Sequence, residues 1–174
     1  SFVRWVFLND SIRFFESKKK DLKGYTLIEG FPGMGLVGTI AAKYMVEKMD
    51  FELIGHIDSD FFIPLIQIHN GLPLHPSRIY ANDDLKLVIL ISEQVIPRQE
   101  TYSMAKASIE WYKGKGIGRV ISLAGINTGT AGDKKTYGIA SNQKILKLLE
   151  ENDIEIIQEG ITTGITAIIL LELD

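Results

Sequence analysis

The stretch from Tyr25 to Ile57 constrains this chain most. Tyr25-Thr26-Leu27-Ile28-Glu29 is a short apolar run bounded by Gly24 and Gly30, the pattern of a strand. A tight loop, Gly30-Phe31-Pro32-Gly33-Met34-Gly35, follows it. Beyond the loop Leu36, Ile40, Tyr44 and residues 46–49 recur near helical spacing, with Lys43, Glu47 and Lys48 on the other face. Phe51 to Ile57 reads as the next strand. Strand, helix and strand in that order form a crossover that joins two parallel strands, which commits the chain to an α/β fold.

The flanking segments fill in that frame. Phe2 to Leu8 and Ile12 to Glu16 read as short extended pieces. From Asp58 to Asn82 there are three prolines (Pro64, Pro73, Pro76) and no helical period. Residues 63–69 and 78–82 read there as strands linked by the Asn70-Gly71-Leu72-Pro73 turn, an antiparallel β insertion. Lys86 to Ile91 is apolar enough to be a strand buried on both faces. A helix over 101–115 offers Met104, Ala107, Ile109 and Trp111 for packing, and 119–124 is a core strand. After a polar loop at 125–138, Ser141 caps a helix that turns Ile145, Leu148 and Leu149 inward. A strand at 154–158, a Thr/Gly turn at 160–164 and the start of a last helix at 166–173 complete the pattern. No repeat or interdomain linker interrupts it. The expectation is one α/β domain over 1–174, with N-terminal strands and turn at 1–24 and a core at 25–174, a mixed, mainly parallel sheet lying between helices. The last helix stops without cap or breaker, so truncation at the C-terminus is expected.

Composition removes several classes of function. With 45% hydrophobic and 24% charged residues, the 174-residue chain has an ordinary globular profile. Its net charge is −3, and the only dense basic run, Lys18-Lys19-Lys20, lies beside Glu16 and Asp21 as a solvated turn would. Nucleic acid is therefore not an expected partner. The absence of cysteine removes disulfides, thiolate nucleophiles and zinc–thiolate sites. Arg4 and Asp10 interrupt the first apolar stretch, which argues against a signal peptide. Apolar runs such as 167–171 fall far short of the roughly 20 residues that span a bilayer. A cytoplasmic protein without a membrane partner is expected.

Four patterns raise the question of chemistry. Gly33-x-Gly35-x-x-Gly38 follows a strand, opens a helix and precedes Asp58 by about 20 residues, the spacing of a dinucleotide fingerprint. The proline-rich β stretch after Asp58 breaks the continuation that such a site requires, so a glycine-built turn for close helix packing is the favoured reading. Gly30-x-x-x-x-Gly35 has phosphate-loop spacing, but Leu36 and Val37 stand where Lys and Ser/Thr are needed. His56, His69 and His75 match no metal-ligand spacing, and no Gly-x-Ser-x-Gly elbow is present. No cofactor and no metal are expected. Two polar loops lie where α/β sheets place functional groups: 92–100 with Glu93 and Arg98, and 125–138 with Asn127 and Asp133. Solvated loop residues are the favoured reading. A small-molecule enzyme of phosphorylase or hydrolase type, using those loops, is the alternative.

Two motifs together carry a resemblance. Leu27-Ile28-Glu29-Gly30-Phe31-Pro32-Gly33-Met34-Gly35-Leu36-Val37-Gly38 resembles the opening motif of the proteasome assembly chaperone family, including its archaeal members. Gly160-Ile161-Thr162-Thr163-Gly164-Ile165-Thr166 is similar to the family's second glycine/threonine motif, which precedes a Leu-rich helix. The Glu93-Gln94 loop also suits the family. The resemblance implies a three-layer α/β/α fold like that of phosphorylase-type domains, self-assembly into homo-oligomers, and action on proteasome subunits or particles by protein contact, without catalysis. Gly30, Pro32, Gly33, Gly35, Gly38, Gly160, Thr163 and Gly164 are read as structural, and Phe31, Met34, Glu93, Arg98, Asn127 and Asp133 as candidates for interface or ligand loops. Relatives that dock on the proteasome are expected to end in a hydrophobic-Tyr-any tail. Glu172-Leu173-Asp174 departs from that pattern.

Overall fold

A computed structural model of the chain describes residues 4–9, 11–127 and 135–173. It falls into two compact units, Ser1–Gly125 and Ile126–Asp174. In chain order the first unit contains β1 (Arg4–Asn9), β2 (Ile12–Glu16), β3 (Thr26–Gly30), α1 (Val37–Lys48), β4 (Glu52–Ser59), β5 (Gln67–His69), β6 (Leu72–Leu74), β7 (Ser77–Asn82), β8 (Leu87–Ser92), α2 (Thr101–Gly114) and β9 (Arg119–Ser122). Seven strands make one sheet in the order β1-β2-β4-β7-β8-β3-β9, and β5 and β6 form a separate hairpin.

The sheet is mixed, as expected, but it is not mainly parallel. Only β3 with β8 and β3 with β9 pair in parallel, whereas β1–β2, β2–β4, β4–β7 and β7–β8 are antiparallel. The cause is the proline-rich insertion. Its last strand, β7, returns into the main sheet and connects to β8 by a short turn, and a connection that short joins only antiparallel neighbours. The crossover through α1 survives in modified form. β3 and β4 run in the same direction, but β7 and β8 lie between them. Residues 63–69 do not form one strand either: β5 is limited to Gln67–His69 and pairs with β6 around Asn70-Gly71, both at positive φ.

Helices cover both faces of this sheet. Ala42 of α1 packs with Ile28, Ile89 and Ile91, and Met45, Val46 and Leu123 close around them. Leu27, Val88 and Leu90 alternate with those residues and so point to the opposite face. On that face lies α2, which buries Met104, Ala105, Ala107, Ser108, Ile109, Trp111 and Tyr112. Trp111 stacks on Phe14 of β2 at 5.3 Å, and both are fully buried. The first unit is thus a three-layer α/β/α arrangement.

The second unit contains β10 (Tyr137–Gly138), α3 (Gln143–Glu151), β11 (Glu155–Ile156) and α4 (Ile165–Glu172), with β10 and β11 parallel. Asn142, not Ser141, caps α3: its Oδ1 accepts from the Ile145 amide at 3.1 Å. Ile145, Leu148 and Leu149 are half-buried. Gly164 stands at the head of α4 with φ +81, a conformation that favours glycine. Much of the polar loop at 125–138, including Asp133, lies outside the described residues. No helix of the described residues is long and apolar enough to cross a membrane.

Candidate functional site

Because β8, β3 and β9 are parallel neighbours, their C-terminal ends share one edge of the sheet. The loops that follow them hold, within this unit, Phe31–Leu36, Glu93–Glu100 and Leu123–Gly125. Close backbone approach builds this edge. A Cβ on Gly38 would lie 2.1 Å from the carbonyl oxygen of Leu123, so only glycine lets α1 settle there. Thr39 then shares its hydroxyl proton between the carbonyls of Gly30 and Ser92, each 3.2 Å away, and ties the helix to the ends of β3 and β8.

The entry to α1 is strained. Gly35 has φ +63 and Leu36 has φ +54, two consecutive left-handed residues. For leucine such a backbone costs about 1–2 kcal/mol. Gly33, by contrast, is extended and has open space around its Cβ position, so close packing is no reason for glycine there. The kink throws apolar side chains outward. Met34 is 61% exposed, Leu36 and Val37 are each 49% exposed, and Ile40 and Tyr44 are 61% and 60% exposed. Val37, Ile40 and Tyr44 are spaced i, i+3, i+7 and so line one stripe of the helix. The small residues Gly38, Thr39 and Ala42 face the sheet instead.

Beside this stripe is an ion network that the sequence did not reveal. Glu93 accepts from Lys43 Nζ of α1 at 3.3 Å and from Arg78 Nη1 of β7 at 3.1 Å. Arg78 is only 4% exposed. Its Nε donates to the Tyr80 hydroxyl at 2.9 Å, and Nη1 also donates to the carbonyl of His75 at 2.5 Å. Gln94 is buried too, its Nε2 donating to the carbonyl of Ile63 at 2.9 Å. Glu93 and Gln94 are therefore anchors, not the solvated loop residues expected. Arg98, in the turn before α2, and Asn127 are exposed, and Phe31 and Pro32 are half-buried. Gly160 and Thr163 are exposed in the second unit.

Two further groups also escaped the sequence reading. Glu29 is buried in β3, accepts from the Tyr112 hydroxyl at 2.7 Å, and has Oε1 without a hydrogen-bond partner. Burial pushes its pKa up to about 7, against the opposing pull of hydrogen bonds from Tyr112 and Ser122. Burial, and then the neighbouring Glu29, likewise raise Tyr112 well above its ordinary value. A carboxylate set between Ile28 and Gly30 was the available signal. His56 and His75 stack at 3.6 Å, and Phe15 stacks on His56 at 4.6 Å. Burial and the adjacent His75 bring His56 down to about 4, leaving it neutral at pH 7.

The dinucleotide pattern fails on topology. Asp58 lies on β4, three strands from β3, or roughly 14 Å at ordinary strand spacing. It is bonded to Arg13 at 3.0 Å. Among the described residues no group of three or more His, Asp or Glu side chains could hold a metal ion.

Sheet, helices and strained loop define a three-layer α/β unit that carries an exposed apolar helix face. More particularly, the chain belongs to the PAC2 family, whose model matches residues 27–174. An uncharacterized protein of Methanocaldococcus jannaschii is 31% identical over 163 residues, covering 94% of this chain and 66% of that protein. Proteasome assembly chaperone 2 of Danio rerio is 24% identical over 145 residues, 79% of this chain and 56% of its own length. The chain thus spans two thirds or less of these relatives. Among solved structures, Pyrococcus furiosus PbaA, an archaeal homolog of proteasome-assembly chaperone, superposes with a TM-score of 0.82 at 31% identity, covering 92% of this chain and 70% of that one. PbaB of the same organism, an archaeal proteasome activator, shares the fold with a TM-score of 0.76 at 16% identity over 92% of this chain and 74% of its own.

Proposed function

We propose that this chain is part of an assembly chaperone or adaptor that acts on proteasome subunits or particles, in the cytoplasm, through protein contacts and not by catalysis. One observation carries the reading: the outward apolar stripe of Met34, Leu36, Val37, Ile40 and Tyr44. A contiguous apolar face of this kind, rimmed by Lys43, Glu47 and Lys48, marks a surface that meets another protein. The relatives from Danio rerio and Pyrococcus furiosus, a proteasome assembly chaperone and an archaeal homolog of one, supply the kind of partner. A second copy of the chain is a further partner, and neither nucleic acid nor a membrane belongs to this reading. The enzyme alternative loses support from its first loop, where Glu93 is held by Lys43 and Arg78.

Native mass spectrometry of the full-length protein, alone and mixed with proteasome α subunits, tests the proposal. A homo-oligomer and a mixed complex are expected, with the mixed complex lost when Ile40 and Tyr44 are replaced by aspartate. Full-length protein that stays monomeric and ignores α subunits at micromolar concentration would sink it.

A further inference from the structure

A half-open cleft of about 250 Å³ lies beside strand β6, and nothing in the proteasome reading uses it. Leu53, Pro73 and Leu74 give it apolar walls, His56 and His75 add the stacked rings, and the largely buried Arg78 is part of its lining. Arg78 decides what the cleft can hold. Its Nε and Nη1 are spent on Tyr80, His75 and Glu93, whereas Nη2 makes no hydrogen bond to a described residue. A guanidinium that is almost wholly buried and keeps two N–H donors spare is matched best by a planar oxygen anion. The charge count agrees. Lys43 and Arg78 bring two positive charges to the one negative charge of Glu93, so the network holds one in surplus. Asp58, the carboxylate nearest His56, is occupied by Arg13. His56 is uncharged at neutral pH and offers an aromatic wall, not a competing cation.

We infer that this cleft is a binding site for a small apolar group ending in a carboxylate, with Arg78 Nη2 as the anion donor and the walls of Leu53, Leu74 and the two imidazoles holding the apolar body. The volume lies below the roughly 300–1,000 Å³ of pockets for drug-sized ligands, so the occupant is about the size of one amino-acid side chain. The same chemistry is offered by a free organic acid and by the C-terminal residue of a polypeptide.

Calorimetric titration of the full-length protein with 3-phenylpropanoate and with its amide tests this site. The acid should bind saturably, in the millimolar range expected of so small a ligand, and the amide about tenfold or more weaker. A tripeptide ending in phenylalanine with a free carboxylate, run against its amidated form, separates the two sources. Tighter binding than phenylpropanoate assigns the cleft to chain termini, and weaker binding assigns it to free acids, and either order upholds the carboxylate site. Arg78→Gln should abolish the preference for acid over amide. Since Arg78 is also a structural hub, Leu53→Trp provides the second variant: Leu53 is part-exposed on β4, and an indole there fills the cleft without disturbing the ion network. Its melting should match the parent while acid binding falls about tenfold or more. Equal binding of acid and amide by the parent, no binding of either, or unchanged binding by Leu53→Trp overturns the inference.

Discussion

Helices α1 and α2 lie on opposite faces of one sheet and solve the same packing problem in opposite ways. α2 spends its large residues on the interior: Met104, Ile109, Trp111 and Tyr112 are all buried. α1 buries only Gly38, Thr39 and Ala42, and leaves Val37, Ile40 and Tyr44 outside. Small residues let a helix approach a sheet closely but bring little apolar area with them; Met45 and Val46 add to the core at its edge, and the outward Val37, Ile40 and Tyr44 contribute little to the fold of this unit. One face of the sheet is finished, and the other keeps apolar surface free for contact. The helices should therefore answer mutation differently.

The largest effect belongs on the α2 side. Trp111→Ala removes a fully buried indole stacked on Phe14 and should cost about 3–5 kcal/mol, read by urea unfolding at equilibrium. Tyr44→Ala on α1 should cost about 0.5–1 kcal/mol in the same assay, chiefly its exposed contact with Lys48. Equal losses at the two positions would break the contrast between the helices.

Next comes the buried carboxylate beneath α2. Glu29 has a folded-state pKa raised from the ordinary 4.5 to about 7, so between those values the folded state holds a proton that the unfolded chain has released. Its contribution to stability is complete below about pH 4.5 and is lost as pH rises through 7. The gap corresponds to about 3 kcal/mol. Glu29→Gln keeps the shape without the charge, so the parent's unfolding free energy should fall relative to the variant's from pH 5 to pH 8, the opposing rise from the lowered His56 being common to both. Parallel profiles for parent and variant would show that Glu29 is not the titrating group.

How far these features were legible in the sequence follows the same division. Helix α2 was readable on both counts, place and inward face, because large residues at helical spacing pack inward when nothing smaller competes. Helix α1 was readable only as a helix. Leu36, Ile40 and Tyr44 have the spacing of a core stripe, and its outward turn depends on Gly38 meeting Leu123, a contact 85 residues away in sequence. Strand β8 was plain from its unbroken apolar run. Strand order was not, since the sequence gives no sign that β7 and β8 enter between β4 and β3. Of the candidate site residues, the 30–38 motif was found by its glycines, whereas Arg78 and Glu93 carry no local signal. Their roles exist only because β7 and β8 pair with α1 above them.

That long-range contact gives a third test, of smaller size. Gly38→Ala places a methyl group 2.1 Å from the Leu123 carbonyl oxygen, so α1 must lift from the sheet. A loss of about 1–3 kcal/mol is expected, as for an overpacked core. An alanine variant that unfolds at the parent's urea midpoint would show that α1 does not need its close seat.

Stability should respond least along the outward stripe, and the double variant Ile40→Asp, Tyr44→Asp is the most informative about that face. Both residues are about 60% exposed, so little apolar contact is lost from the fold itself. The Lys48 ammonium lies 5.8 Å from the Tyr44 ring centroid, an exposed cation–π contact worth about 0.5–1 kcal/mol. The aspartates also add acid near Glu47 and lower helix propensity by a few tenths of a kcal/mol. The sum should stay within about 1.5 kcal/mol, well below the loss at Trp111. Association should respond quite differently, because two charges placed in the middle of an apolar patch must be desolvated whenever that patch is covered. Light scattering across a concentration series, run beside the unfolding experiment, reads both quantities on the same protein. Retained stability with lost self-association identifies the stripe as an interface. A fall in stability comparable to that of Trp111→Ala would mean instead that the stripe is covered within its own chain, and the contrast between the two helices would disappear.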